Sequence, residues 1–379
     1  DTPANLEKYR TPDKVKRNNL RVFQKLDFEP IEDLVLSGEF TYETKNYLSY
    51  SVDEQIQTVN ADELTLNAAD PEKTYYQKYN SQSAYKAYNI YANYTKDFGN
   101  HHLGGLIGFN KEDYSSEDFW ARKNNLINVD LPSISLASGD VTANDSFGSW
   151  AVMGTFARVN YNYKEKYFLE VNGRYDGSSR FAKGDRFGFF PSMSAGWTLS
   201  KESFLKDIWQ ISLLKLRASW GAIGNQNTSS LYPSIPGMSV GEALWINTDK
   251  GVRYNTIGLP SLVSAGFTWE EVETKNIGID LNLFNHRLSS SFDIYNRETK
   301  GMLAPGAELP AILGASAPQQ NAADLKSYGW ELQMGWKDKI KDFSYHLAFT
   351  LSDGQSKITN YDNEAGLLGQ YYNGYQFGQ

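Results

Sequence analysis

The chain has 379 residues, with 37 Lys and Arg against 45 Asp and Glu for a formal net charge of −8, no Cys, and an aromatic content of 14%. The acidic balance excludes a binder that replaces phosphate counterions with a basic stripe, so no nucleic-acid partner is expected. Absence of Cys excludes disulfide scaffolds, thiolate metal sites and thiol catalysis. No apolar run approaches the roughly 20 residues of a transmembrane helix, and the mean hydropathy is negative. A transmembrane barrel stays open, because its strands hide apolar residues among polar ones. The opening Asp1-Thr2-Pro3 has neither the basic nor the apolar region of a secretory leader, so an exported protein would carry its leader upstream of this numbering.

Along the chain the apolar residues recur with a period of two, in segments of about ten residues, the length of a tilted strand crossing a bilayer. Met153, Thr155, Ala157, Val159, Tyr161 and Tyr163 share one face, against Gly154, Arg158, Asn160, Asn162 and Lys164 on the other. After Lys164-Glu165-Lys166 the pattern restarts with Tyr167, Leu169, Val171 and Tyr175, so tight a connection that the two strands must be antiparallel neighbours. The same alternation marks Leu214 to Trp220, Ile277 to Leu283, Tyr328 to Trp336 and Phe343 to Leu351. About twelve strands in six hairpins are expected between Leu20 and Ser356.

A soluble sandwich alternates in the same way, so two further patterns decide. Aromatics stand at both ends of the apolar stripes: Tyr161, Tyr163, Tyr167, Trp336, Phe343 and Tyr345 beside short turns, Tyr175 and Trp220 at the far ends. This is the layout of an interfacial girdle. Connections alternate between short and long. The short ones centre on Glu29 to Glu32, Phe98 to His101, Lys164 to Lys166, Phe284 to Arg287 and Lys337 to Asp342, with a longer one from Ser200 to Gln210. The long ones run from about Asn46 to Gln82, Asp113 to Gly148, Gly224 to Phe267 and Gly301 to Lys326, with a shorter one from Gly177 to Arg186. Short turns on one side and long loops on the other are the asymmetry of an outer-membrane barrel. The fold expected is all-β, an antiparallel up-and-down transmembrane β-barrel segment. Residues 1–19 read as the end of an extracellular loop, 20–357 as barrel strands, and 358–379 as the start of a further extracellular loop. Pro191 is expected at a bulge or a strand start, since it has no donor for a ladder.

The stretch Tyr167-Phe168-Leu169-Glu170-Val171-Asn172-Gly173-Arg174-Tyr175-Asp176-Gly177-Ser178-Ser179-Arg180-Phe181 is followed by Arg186-Phe187-Gly188-Phe189-Phe190-Pro191-Ser192 and Ala195-Gly196-Trp197. Together with Leu216 to Gly221, Gly224-Asn225-Gln226, Trp269-Glu270 and Glu273 to Gly278, it resembles the SusC/RagA family of TonB-dependent outer-membrane transporters. The motifs keep the family's order over roughly Tyr161 to Ser356. The resemblance implies a barrel of about 22 strands, of which this chain would be the middle half. It also implies a plug domain and a TonB box, both absent from this sequence, and a SusD-like surface lipoprotein as a lid. Coupling would run through the TonB-ExbB-ExbD complex, so no cofactor and no ATP site are expected. The implied activity is import of oligosaccharides across the outer membrane. The alternatives are a peptide importer of the same family and a passive outer-membrane porin or adhesion barrel, with a secreted carbohydrate-binding protein further off.

No catalytic constellation is visible: there is no Gly-x-Ser-x-Gly elbow, no Walker loop and no thiol, so no enzyme is expected. His101, His102, His286 and His346 lack chelating spacing, and Asp53-Glu54, Asp62-Glu63 and Glu270-Glu271 lack the pattern of a calcium loop, so no metal is expected. Arg174, Arg180, Arg186 and Arg217 with Asp176 and Asp185 are candidates for a polar lattice. Substrate contacts are expected from lumen-facing residues near the loop side and from loop aromatics, since sugars stack on such rings: Phe119, Trp120, Tyr232, Trp245, Tyr254, Trp269, Tyr371 and Tyr372.

Overall fold

The computed structural model describes residues 13–53, 58–59, 66–67, 74–247, 252–264, 266–306, 309–361 and 371–376. Twelve long strands make one sheet: β1 Lys14–Ile31, β2 Leu34–Asp53, β3 Tyr75–Phe98, β4 His101–Asn124, β5 Val141–Tyr163, β6 Tyr167–Ser178, β7 Phe187–Thr198, β8 Ile211–Asn225, β9 Glu270–Leu283, β10 Leu288–Pro305, β11 Gln319–Ile340 and β12 Phe343–Tyr361. Strand order follows chain order without a crossover, which is an up-and-down meander. Two short ribbons, Thr58–Val59 with Leu66–Asn67 and Val240–Asn247 with Val252–Ile257, stand apart from it. The chain divides into two compact units, residues 1–26, 39–88 and 112–151 in the first and residues 27–38, 89–111 and 152–379 in the second.

In the second unit the register of β8 to β12 turns sequence alternation into continuous rows. One face carries Leu214–Leu281–Ser290–Met334–Phe349, then Leu216–Ile279–Phe292–Leu332–Leu351, then Ala218–Ile277–Ile294–Trp330–Asp353. The other face carries Lys215–Asp280–Ser291–Gln333–Thr350 and Arg217–Gly278–Asp293–Glu331–Ser352. Ile277 is 66% exposed and Ile294 54%, on a contiguous apolar face that water would not tolerate and lipid does.

The short-turn end of that face is ringed by aromatics. His101, Tyr163, Tyr167 and Trp197 follow one another with centroids 4.7, 6.4 and 6.2 Å apart. Trp209, Phe284 and Trp336 do the same at 6.4 and 6.3 Å. In the turn after β7, Glu202 accepts hydrogen bonds from Tyr167 Oη at 2.7 Å, Trp197 Nε1 at 3.1 Å and Lys166 Nζ at 3.2 Å. The Tyr167 bond first, then those of Trp197 and Lys166, hold the Glu202 carboxyl below the usual carboxylate range. Its folded value is depressed, so this contribution is present above the ordinary glutamate value and is lost as pH falls through the folded one. The turns themselves are tight because their residues take left-handed conformations: Lys164 and Glu165 both have φ +52°, and Gly99 has φ +62°.

The structure revises several sequence expectations. Strands reach 24 residues, so the long connections are shorter than the hydropathy suggests: residues 54–74 rather than Asn46 to Gln82, and residues 125–140 rather than Asp113 to Gly148. The first strand begins at Lys14 and the last ends at Tyr361. Beyond the apolar band both faces of a strand are polar, so pairing continues where alternation leaves no signal. Pro191 is neither at a bulge nor at a strand start. It lies inside β7, in regular register opposite Gly173, one residue past the last β7–β8 pair, Ser192↔Gly221. Its missing N–H therefore falls where the second ladder has already stopped.

Ile279→Arg, in the middle one of the three apolar rows and midway between Lys275 and Phe284, is expected to cost about 2–4 kcal/mol of barrel stability, and Leu283→Arg, beside Phe284 at the girdle, clearly less. Urea unfolding of the full-length protein in lipid vesicles, read by heat-modifiable gel mobility, measures both.

Candidate functional site

On the polar face of the second unit, Arg217 is the hub of a charge network. Its Nε and Nη2 donate to Asp280 at 2.8 and 2.9 Å, and Nη2 donates to Asp293 at 3.1 Å and to Ser291 Oγ at 3.1 Å. Gly278, directly opposite Arg217, makes the room: a Cβ there would lie 2.8 Å from Arg217 Cζ and 2.4 Å from Asp293 Oδ1. Two strands away, Arg174 grips Asp176 through two hydrogen bonds at 3.0 and 2.9 Å and lies 5.2 Å from the centre of the Phe156 ring. Arg158, Glu170, Arg174, Asp176, Ser192 and Thr274 line a groove of about 910 Å³ on this face.

At the long-loop end of the same unit the motif residues build an anchor for three loops. Phe181, 1% exposed, packs against Phe267 and Trp269 with centroids at 5.8 and 5.2 Å, and Trp269 meets Phe190 edge-on at 5.3 Å. The Trp269 indole N–H donates to Arg186 O at 2.8 Å, and Thr268 Oγ1 donates to Asp185 O at 2.8 Å. Asn321 accepts from Thr268 N at 2.9 Å and donates to Thr268 O at 3.0 Å and Gly301 O at 2.7 Å. Glu270 closes the cluster by accepting from Leu303 N and Asn225 Nδ2, both at 2.6 Å. Gly224 is required by close approach, since its Cβ would fall 2.1 Å from Phe190 Cζ.

The first unit carries a different wall. Alternation along β4 sets Glu112, Tyr114, Ser116, Asp118 and Trp120 on the face opposite Ile107 and Phe109. Tyr114 stacks on Trp150 of β5 at 5.6 Å, and Tyr85 of β3 stands 6.4 Å from the same indole. Tyr85 Oη donates to Glu112 at 2.9 Å. Tyr79 Oη and Ser146 Oγ both donate to Asp118, at 2.8 and 3.4 Å. Tyr47 meets Tyr79 edge-on at 5.8 Å, and the Arg122 guanidinium lies 3.5 Å from the centre of the Tyr75 ring. Aromatic faces interleaved with carboxylates and hydroxyls can stack on a ring of C–H groups and hydrogen-bond the hydroxyls at its edge.

The residues singled out from the sequence scatter. Phe119 and Trp120 lie on strand β4 rather than in a loop, and on opposite faces, with only Trp120 on the aromatic wall. Tyr232 lies in the loop after β8, partly exposed, and Tyr254 is exposed on the ribbon strand Val252–Ile257. The side chain of Trp245 lies outside the described residues. Trp269 is built into the loop anchor. Tyr371 and Tyr372 come together, both edge-on to Tyr375 at 5.3 and 5.5 Å. In the expected lattice Arg174 and Asp176 pair, whereas Arg186 donates to Phe181 O at 3.1 Å and Arg217 takes Asp280 and Asp293 as partners. Asp280 and Asp293 lie 63 and 76 residues from Arg217 in sequence, and only the strand register reveals them. Trp150 carries no sequence signal, because it lies on β5 ahead of Met153, where the alternation begins. No group of three or more metal-ligating side chains converges among the described residues.

A twelve-stranded antiparallel meander with one lipid-compatible face, one charged face and a turn-side aromatic girdle defines an integral outer-membrane β-barrel segment. The chain matches the model of the TonB dependent receptor-like β-barrel over residues 2–378, and it belongs to that family. Among curated proteins it is 33% identical to TonB-dependent receptor P3 of Formosa agariphila over 271 residues, which cover 71% of this chain and 26% of that protein. It is 29% identical to TonB-dependent receptor SusC of Bacteroides thetaiotaomicron over 279 residues, 72% of this chain and 27% of SusC. The chain thus spans about a quarter of the length of these relatives. Among solved structures, the RagAB peptide transporter superposes with a TM-score of 0.79 at 20% identity, covering 92% of this chain and 37% of the other. The transporter YddB of Escherichia coli superposes less well, with a TM-score of 0.58 at 10% identity over 92% of this chain and 43% of its own. The family resemblance read from the motifs between Tyr161 and Ser356 is therefore correct, as are the barrel fold and the outer-membrane location.

Asn321→Leu is expected to strip Thr268 and Gly301 of their partners and to loosen the loop anchor by about 1–3 kcal/mol. Limited trypsin digestion of intact cells checks this, with faster cleavage expected in the 226–266 loop while the barrel stays folded.

Proposed function

We propose that this barrel imports oligosaccharides across the outer membrane under TonB control, with a SusD-like surface lipoprotein delivering them at the long-loop rim. The observation that carries the reading is the wall of the first unit, where Tyr85, Tyr114, Trp120 and Trp150 share a face with Glu112 and Asp118. A pyranose offers an apolar C–H face and a rim of hydroxyls, and this wall offers rings for the first and acceptors for the second. The relatives named TonB-dependent receptors, SusC among them, support the energy coupling. Coupling to the inner-membrane proton gradient would pass through TonB-ExbB-ExbD and a plug domain, so no hydrolytic residue is required of the barrel wall. Residues 1–19 and 358–379 then belong to the extracellular side, as do the loops after β2, β4, β6, β8 and β10.

A peptide substrate is the second reading, favoured by the fold likeness to the RagAB peptide transporter. Peptide recognition relies on main-chain pairing and side-chain pockets. The flat rings of the aromatic wall support the sugar reading instead.

Trp150→Ala in the full-length transporter is expected to weaken oligosaccharide binding about tenfold while leaving barrel assembly intact. Isothermal titration against a panel of plant and algal oligosaccharides, with tripeptides as the comparison, provides the measurement. Binding of peptides alone, unaffected by the substitution, would transfer the reading to peptide import.

A further inference from the structure

Above the apolar rows of the second unit, on the same face, the next two rows change character. Trp220–Lys275–Asn296–Tyr328–Gln355 is followed by Ala222–Glu273–Glu298–Lys326–Lys357, with Lys300 one pair further along opposite Glu271. Ten residues separate Lys326 from Trp336 at the aromatic girdle, and ten separate Lys357 from Leu347. At a rise of about 3.3 Å per residue and a tilt of about 45°, ten residues span roughly 23 Å across the membrane, close to the apolar band of about 25 Å that such barrels show. The lysines therefore sit one hydrocarbon thickness from the girdle, at the height of the lipid headgroups on the long-loop side.

The acids on this belt are largely committed. Glu273 accepts from Trp220 Nε1 at 2.7 Å and pairs with Lys300 at 2.7 Å and Lys275 at 3.0 Å. Glu298 pairs with Lys326 at 3.1 Å. Asp353 lies one row lower, opposite Trp330, and Glu271 faces Lys300. Lys326 and Lys357 stand directly opposite each other on neighbouring strands, and Glu298 neutralises only one of the two like charges. Lys357 has no carboxylate partner among the described ion pairs, and Tyr328, hydrogen-bonded to Gln355 at 3.0 Å, floors the space below the pair.

The geometry points to a phosphate-binding site for an outer-leaflet lipid headgroup, formed by Lys357 together with Lys326 opposite it. This rests on the reading of the long-loop rim as the cell exterior. A phosphate meeting both ammonium groups neutralises the charge that Glu298 leaves over and ties β11 to β12 at the membrane surface. It also pins the height of the barrel in the bilayer, because the same strands carry the girdle ten residues away.

The test uses the full-length transporter, purified in non-ionic detergent and reconstituted into nanodiscs containing either diphosphoryl lipid A or its dephosphorylated form. Native mass spectrometry should find the phosphorylated lipid retained, and the Lys326→Gln/Lys357→Gln protein should hold it about 30-fold more weakly, the sum expected for two basic residues at a membrane surface. Lys326→Arg/Lys357→Arg should retain it, and Lys337→Gln/Lys339→Gln at the turn end should change nothing. Equal retention of both lipids, or equal loss in both Gln pairs, would overturn the site. Competition by millimolar inorganic phosphate as strong as that by lipid A would overturn the lipid assignment and leave a soluble anion as its ligand. Heat-modifiable gel mobility separates loss of lipid from loss of the fold, and lipid retention is read independently of oligosaccharide uptake.

Discussion

The structure depends on one constraint: inside hydrocarbon a backbone N–H or C=O has no water to turn to, so each must be paired within the sheet. A meander of adjacent antiparallel strands meets that demand with turns of two to four residues on its short side, the longer connection between β7 and β8 excepted. Once strands are paired in register, their period of two sends every second side chain to lipid and every other to the polar side. The rows running from Leu216 to Leu351 and from Arg217 to Ser352 are therefore consequences of one another. A register slip of one residue would drive Arg217, Asp280 and Asp293 into lipid together.

The same division explains where chemistry can reside. The lipid face is occupied by apolar rows between an aromatic girdle and a charged belt, and only its edges carry polar groups. The other face is free to hold charge, and in the second unit it does so as paired networks: Arg217 with Asp280 and Asp293, Arg174 with Asp176. Paired charges of this kind are satisfied structures rather than waiting ligands. In the first unit Glu43 is paired with Arg21 and Lys45, whereas Glu112 and Asp118 take hydroxyl donors from Tyr79, Tyr85 and Ser146. The hydroxyls on these carboxylates, set among half-buried rings, resemble those a polyol would present.

The loops obey a second rule, that a segment leaving the sheet must find new partners for its backbone. Phe181, Phe267 and Trp269 supply an apolar knot, and Asn321, Thr268 and Glu270 supply the hydrogen bonds around it. The long excursion after β8 thus starts and returns on fixed ground. Motif residues such as Gly224, Arg186 and Trp269 are explained by this knot, and their spacing in sequence records packing rather than catalysis.

Strand polarity, the two-faced alternation, the turn-side aromatics and the family were all legible from the sequence, because each is encoded within about ten consecutive residues. Tyr167 and Trp197 announced the girdle, and Phe181 and Trp269 stood inside recognisable motifs. What lies beyond the apolar band is not legible: strand ends vanish where both faces turn polar, so nothing in the sequence signals that Phe119, Trp120 and Trp150 stand on strands. Partners from separate strands were equally hidden, since Arg217 meets Asp280 and Asp293, and Lys326 meets Lys357, only through register. The sequence by itself determined that the chain crosses a membrane as strands, because a period of two with apolar and polar faces admits few other solutions at this strand and loop spacing. Only the tertiary structure decided which charges neutralise one another, which rings share a wall, and where a cation is left facing another, because those are distances between residues that the chain places far apart.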